Sequence, residues 1–172
     1  MSLITETGAG HPDAESYASV AAADARNASL GVTAWAALGE GAKEIALRRA
    51  TQFMLANYRG RWAGRRVYQV QALDWPRYDV VVDCWPILST VVPPEVVNAC
   101  IDLAARAGGG EDLMPDLDTG SNVVKRDKTG PLETEYFQNT TDARERFVSV
   151  DSALQPFFGA AGGSGMIKLV RG

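Results

Sequence analysis

About 35 residues separate the two stretches of this chain with the clearest helical periodicity, whereas connections inside compact helical proteins are usually far shorter. In the first stretch, 41–58, Ala42, Ala46, Ala50, Phe53, Met54 and Asn57 recur at steps of three and four, with Leu47 and Leu55 widening the apolar face. The second begins at Pro93-Pro94, since proline suits a first helical turn and Glu95 suits the positive end of the helix dipole. Its stripe is Val96, Ala99, Cys100, Leu103 and Ala107, and Gly108 stops it. A connection of this length is expected to be functional or to fold on a partner. An earlier helix, capped by Ser16 or Ser19 and running to about Ser29, carries alanines at 21–23 and 25 suited to close packing, with Gly31 placed to end it. Val32 to Trp35 reads as a linker.

The connection concentrates positive charge in an acidic protein. From Lys43 to Arg77 eight bases face two acids, while the chain as a whole carries −4. Such separation focuses a positive surface toward nucleic acid or an acidic partner. Arg59, Arg61, Arg65 and Arg66 interleave with Tyr58, Trp62 and Tyr68, which supplies phosphate contacts beside stacking faces. Tryptophans placed beside glycine and proline, as Trp62 and Trp75 are, more often serve as core plugs that pin a loop. On the preceding helix Arg48 and Arg49 are adjacent, so at about 100° per residue at least one reaches solvent or a partner. The partner- or DNA-facing set is thus Arg48, Arg49, Arg59, Arg61, Trp62, Arg65, Arg66 and Arg77.

The last third changes character. Residues 122–137 read as two polar strands around Thr129-Gly130-Pro131, with Lys125, Arg126 and Lys128 on one arm and Glu133 and Glu135 on the other, available for cross-strand pairs. A short helix from about Val150 to Gln155 follows. A Gly-rich linker, 159–165, then tethers the apolar hexapeptide Met166-Ile167-Lys168-Leu169-Val170-Arg171. Exposed apolar strands invite association, so this tail is expected to add a strand to a neighbouring subunit or partner, with docking on its own chain as the alternative. The fold class is mainly α: a small helical bundle with a long inter-helix connection, a β-hairpin and an extended C-terminal tail. Residues 1–118 form the helical core and 119–172 an arm of the same structural unit.

Several chemistries are disfavoured. The only histidine, His11, precedes Pro12 in a Gly-rich segment expected to be loosely held, which makes a poor general base. Cys84 and Cys100 lack metal-ligand spacing and read as two buried thiols. Glu111, Asp112, Asp116 and Asp118 lie beside Gly108-Gly109-Gly110 and Pro115 and read as a solvated acidic loop. No phosphate-binding glycine loop occurs. The expectation is a non-enzymatic protein without metal or cofactor. A run of about 18 apolar residues and a signal-peptide start are both lacking, so a soluble protein made in the cytoplasm, with no membrane partner, is expected.

The order Ser16 to Val20, Gly31 to Leu38, Tyr58-Arg-Gly-Arg-Trp-Ala-Gly64, Gln71 to Trp75-Pro76-Arg77, Pro93-Pro94-Glu95, Val124-Lys125-Arg126, Gly130-Pro131-Leu132-Glu133 and Val170-Arg171-Gly172 resembles a family of tailed bacteriophages. Its members are often labelled "DnaT-like single-stranded DNA-binding protein". The resemblance spans nearly the whole chain and implies two functions of different classes. The preferred one is a structural virion protein: a head-to-tail connector adaptor at the head-tail interface. Such adaptors form a homo-oligomeric ring, usually of twelve copies, between the portal and the next neck or tail component, a head-closure or tail-terminator-type protein. On that reading the basic residues face the portal or packaged double-stranded DNA. Lys125, Arg126, Lys128, Glu133, Glu135, Met166, Ile167, Leu169 and Val170 then make inter-subunit contacts. The alternative is single-stranded DNA binding in phage replication.

Overall fold

The computed structural model describes residues 2–114, 127–129, 132–134 and 147–159. The chain forms two compact units, 1–113 with 147–172, and 114–146. The expected boundary at 118/119 lies outside the described residues, as do Lys125, Arg126, Glu135 and the segment Met166 to Val170.

The first unit is mainly α, as the sequence periodicity implies. Helix α1 (Val20–Ser29) starts where Ser19 accepts a hydrogen bond from the Ala22 N–H, satisfying one of the donors a helix N-terminus leaves open. Gly31 takes a left-handed φ of 71° just beyond its end. The stretch read as a linker contains a four-residue helix, α2 (Thr33–Ala36). What fixes it is tertiary: Trp35 is buried and its indole N–H donates to Asp24 of α1 at 2.6 Å. Helix α3 (Glu40–Tyr58) buries Ala46, Leu47, Ala50, Thr51, Phe53, Met54 and Tyr58; Ala42, in its first turn, is exposed instead. Helix α4 (Pro94–Gly108) buries the whole expected stripe together with Ile101 and Ala104.

Packing of α3 on α4 makes the centre of the core. The small buried side chains on both helices suit a close approach, and Thr51 Oγ1 lies 3.4 Å from Cys100 Sγ across the pair. Each of Leu47, Met54, Ile101 and Leu103, almost fully buried, contributes roughly 1.5–3 kcal/mol through apolar burial. Helix α5 (Val148–Leu154) and a following 3-10 turn (Gln155–Phe157) return to this unit, with α5 against α4.

The N-terminal segment is held more firmly than its glycines imply. The buried Glu6 carboxylate accepts from the N–H groups of Gly8, Gly10 and His11 at 2.8, 2.9 and 2.7 Å. One side chain thereby satisfies three backbone donors that no regular element serves. Gly8, at φ 105°, lies so close to the Thr90 carbonyl that a Cβ would collide with it.

The second unit contains the expected hairpin as β5 (Asp127–Thr129) paired antiparallel with β6 (Leu132–Thr134), in the register Lys128 opposite Glu133.

Candidate functional site

The long connection between α3 and α4 folds back on its own core. It forms two short antiparallel ribbons, β1 (Arg65–Arg66) with β2 (Arg77–Tyr78), and β3 (Val81–Val82) with β4 (Trp85–Pro86). Two of the residues expected to face a partner or DNA, Trp62 and Arg77, point inward, at 6% and 7% exposure.

Trp62 belongs to an aromatic cluster. Its ring lies 5.7 Å from Trp75, 5.2 Å from Phe158 and 5.9 Å from Tyr58, while Trp75 meets Phe157 at 5.8 Å. Most of these pairs are edge-to-face, the arrangement that the ring quadrupoles favour. The rings sit against one another and not on a surface, so the plug reading of Trp62 and Trp75 holds. The Trp75–Pro76 peptide is cis.

Arg77 serves the backbone. Its guanidinium donates to the carbonyls of Ala63 (2.7 Å), Gly64 (2.7 Å) and Asp74 (3.1 Å), three acceptors in a segment without a regular ladder. Only arginine offers enough donors in a rigid fork for this. Burial pulls its pKa down from the usual guanidinium range. Gly64, at φ 65°, lets the ribbon close, since a Cβ there would strike the Tyr78 carbonyl. Gln71 completes the scaffold: its amide donates to the Leu73 and Pro76 carbonyls and accepts from the Tyr68 N–H. Tyr17 adds an acceptor to that set, its hydroxyl taking the Asp74 N–H at 2.9 Å, and burial pushes its hydroxyl pKa well up.

The positive charge seen along the sequence is largely matched in space. Arg48 pairs with Glu15 and Glu44, Lys43 with Asp24, Arg59 with Asp74, Arg61 with Asp151 and Arg65 with Asp79. Arg49 and Arg66 have no carboxylate partner among the described residues. Arg61 stacks over Phe158 at 4.0 Å. On β1, Arg65 lies 5.6 Å over the ring of the exposed Tyr78, and Arg66, also exposed, donates to the Gln71 carbonyl. Tyr68, half-exposed, packs against Gly10 nearby in the chain's fold.

The neighbouring ribbon differs. Asp83 and Cys84 occupy the two left-handed turn positions between β3 and β4, with φ of 51° and 67°, as a two-residue type I′ hairpin requires. Its tip leaves Trp85 at 76% exposure, and Val81 and Leu88 are exposed as well. Cys84 is exposed too, so only Cys100 fits the expectation of a buried thiol. Among the described residues no group of three or more His, Cys, Asp or Glu side chains could hold a metal ion, and no helix is long and apolar enough to cross a membrane.

The fold and this connection define a small, mainly α protein that carries an arginine-tyrosine ribbon and an apolar hairpin on one scaffold. The chain belongs to the family described as "Putative DnaT-like ssDNA binding protein", whose model matches residues 1–172. No curated protein and no solved structure matches it.

Proposed function

We propose that this chain is a non-enzymatic protein that binds single-stranded DNA through the β1–β2 ribbon. The observation that carries the reading is Arg65 lying over exposed Tyr78 with Arg66 on the same strand, a pairing of phosphate contacts and a stacking face. The family description agrees with it. Asp79 is a weak competitor for Arg65: the pair is 3.4 Å long with side chains 77% and 74% exposed, and such pairs contribute at most about 1 kcal/mol. A phosphate can take its place. Stacking falls to Tyr78 and Tyr68, because Trp62 and Trp75 are committed to the core.

Fluorescence anisotropy with a labelled oligothymidylate tests this. Binding is expected at low salt, weakening with a slope of about −0.7 per phosphate contact on a log-log plot. Absence of binding at low salt sinks the reading.

A second reading, the ring-forming head-to-tail adaptor of a virion, is favoured by the exposed Val81, Trp85 and Leu88, a surface of the kind that protein partners cover. On that reading the partners are further copies of the chain, the portal and the next neck protein. Cryo-electron microscopy of virions at the tail vertex decides it: a ring of this chain between portal and tail is expected, and its absence from the particle removes the reading.

A further inference from the structure

Beside the β3–β4 hairpin lies an open groove of about 400 Å3 whose walls include Trp85, Leu88, Val91 and Phe157, with the acidic residues Asp83 and Glu95 also lining it. Trp85 and Leu88 are 76% and 67% exposed, and neither carboxylate has an ion-pair partner among the described residues. We propose that this groove is the docking site for the chain's own segment Met166–Arg171, bound in cis.

The tether fixes the occupant. Phe157 is itself a wall of the groove, and two residues later Gly159 is anchored, its N–H donating to the Arg61 carbonyl at 2.8 Å. Only residues 160–165, Ala-Ala-Gly-Gly-Ser-Gly, separate that anchor from Met166. Fully extended they reach about 20 Å, and as a Gly-rich coil they span about 13 Å on average. A tether this short holds its cargo near the groove at roughly millimolar effective concentration. A second copy brings the same chemistry without that advantage.

The chemistry of segment and groove match. In extended conformation alternate side chains share a face, so Ile167, Leu169 and Arg171 lie on one side and Met166, Lys168 and Val170 on the other. Either face offers two apolar side chains and one base. The groove offers apolar walls and two acidic residues.

Trp85 is the reporter, since Trp35, Trp62 and Trp75 are all buried. Its emission in the full chain is isolated as the difference between the wild type and Trp85→Phe, and acrylamide quenching is measured over a range of protein concentrations with sedimentation in parallel. The expected result is a Trp85 shielded several-fold in a monomer, independent of concentration. Shielding is lost in Ile167→Asp/Leu169→Asp and reduced in Lys168→Glu/Arg171→Glu, with the helical circular dichroism unchanged. A wild-type Trp85 quenched as readily as in the tail variants overturns the proposal. Shielding that fades on dilution together with a larger species overturns it as well, because the occupant is then a second copy. The groove does not include Arg65, Arg66 or Tyr78, so failure here leaves the DNA-binding reading standing, and the reverse holds.

Discussion

The two ribbons of the connection stand two residues apart in sequence and present opposite chemistries. β1–β2 shows arginines and a tyrosine, with the exposed carboxylate of Asp79 in a loose pair with Arg65. β3–β4 shows valine, tryptophan and leucine beside carboxylates without cationic partners. Neither has the length to be stable alone, since each strand is two residues long. Both therefore depend on the aromatic cluster of Trp62, Trp75, Phe157 and Phe158 beneath them, and β1–β2 also on the buried Arg77 fork. A single aromatic plug supporting two chemically distinct surfaces means that their functions are separable by surface substitution and fall together when the plug is truncated.

The largest effect is expected where the comparison breaks. Trp75→Ala removes a fully buried indole, and losses of about 3–5 kcal/mol accompany such truncations. Denaturant unfolding should show that loss, with both ribbons disordered; an unchanged midpoint would mean that the cluster does not support them. Next comes Arg77→Met, which leaves the carbonyls of Ala63, Gly64 and Asp74 without these donors. Stability should fall by about 2–4 kcal/mol, since unsatisfied buried polar groups cost about 1–3 kcal/mol each and some regain water. Oligonucleotide binding should weaken more than Trp85 shielding changes, because the lost bonds lie under β1–β2.

Surface substitutions sharpen the contrast. Arg65→Glu/Arg66→Glu should reduce oligonucleotide affinity at least tenfold, about 1.4 kcal/mol, while stability moves by no more than about 0.5 kcal/mol. Equal binding by this variant would relocate the nucleic-acid surface. A loss of folded protein would mark these arginines as structural.

The smallest effect lies away from both ribbons, at the ion pairs that join the N-terminal region to α3. Glu15 is held below its ordinary pKa of 4.5 chiefly by its hydrogen bond from Arg48, and Asp24 below 3.8 chiefly by Lys43. Both folded-state values are depressed, so their stabilisation is complete above the ordinary values and declines as pH drops through the folded ones. A modest fall in Tm is expected below about pH 4.5, centred on carboxylates. In Glu15→Gln/Asp24→Asn that acid-dependent part should shrink; an identical pH profile would remove these pairs from the account.

What the sequence made legible follows from how local each cause is. Helices α1, α3 and α4 are written in periodicity, a serine cap and prolines at a first turn, all within a few residues of their effect. α2 was hidden because the hydrogen bond from Trp35 to Asp24 spans two elements. Arg77 looked like a surface cation since nothing nearby in sequence announces three carbonyl acceptors. The +6 segment looked more exposed than it is, because Asp24, Glu15, Asp79 and Asp151, which partner its bases, lie outside it. The β3–β4 turn carried a weak signal only: Asp83 is tolerated in left-handed backbone, but Cys84 is an unusual companion where glycine would have advertised the hairpin.

That same turn gives the molecule a natural handle. Cys84 is open to reagents at the tip of the hairpin, whereas Cys100 is sealed between Ser16 and Thr51 and burial pushes its thiol pKa up, keeping it in the unreactive form. A maleimide dye added to unmodified protein will therefore attach at one place, adjacent in sequence to Trp85. The emission of an environment-sensitive dye at that position can then follow the hairpin without any engineered residue.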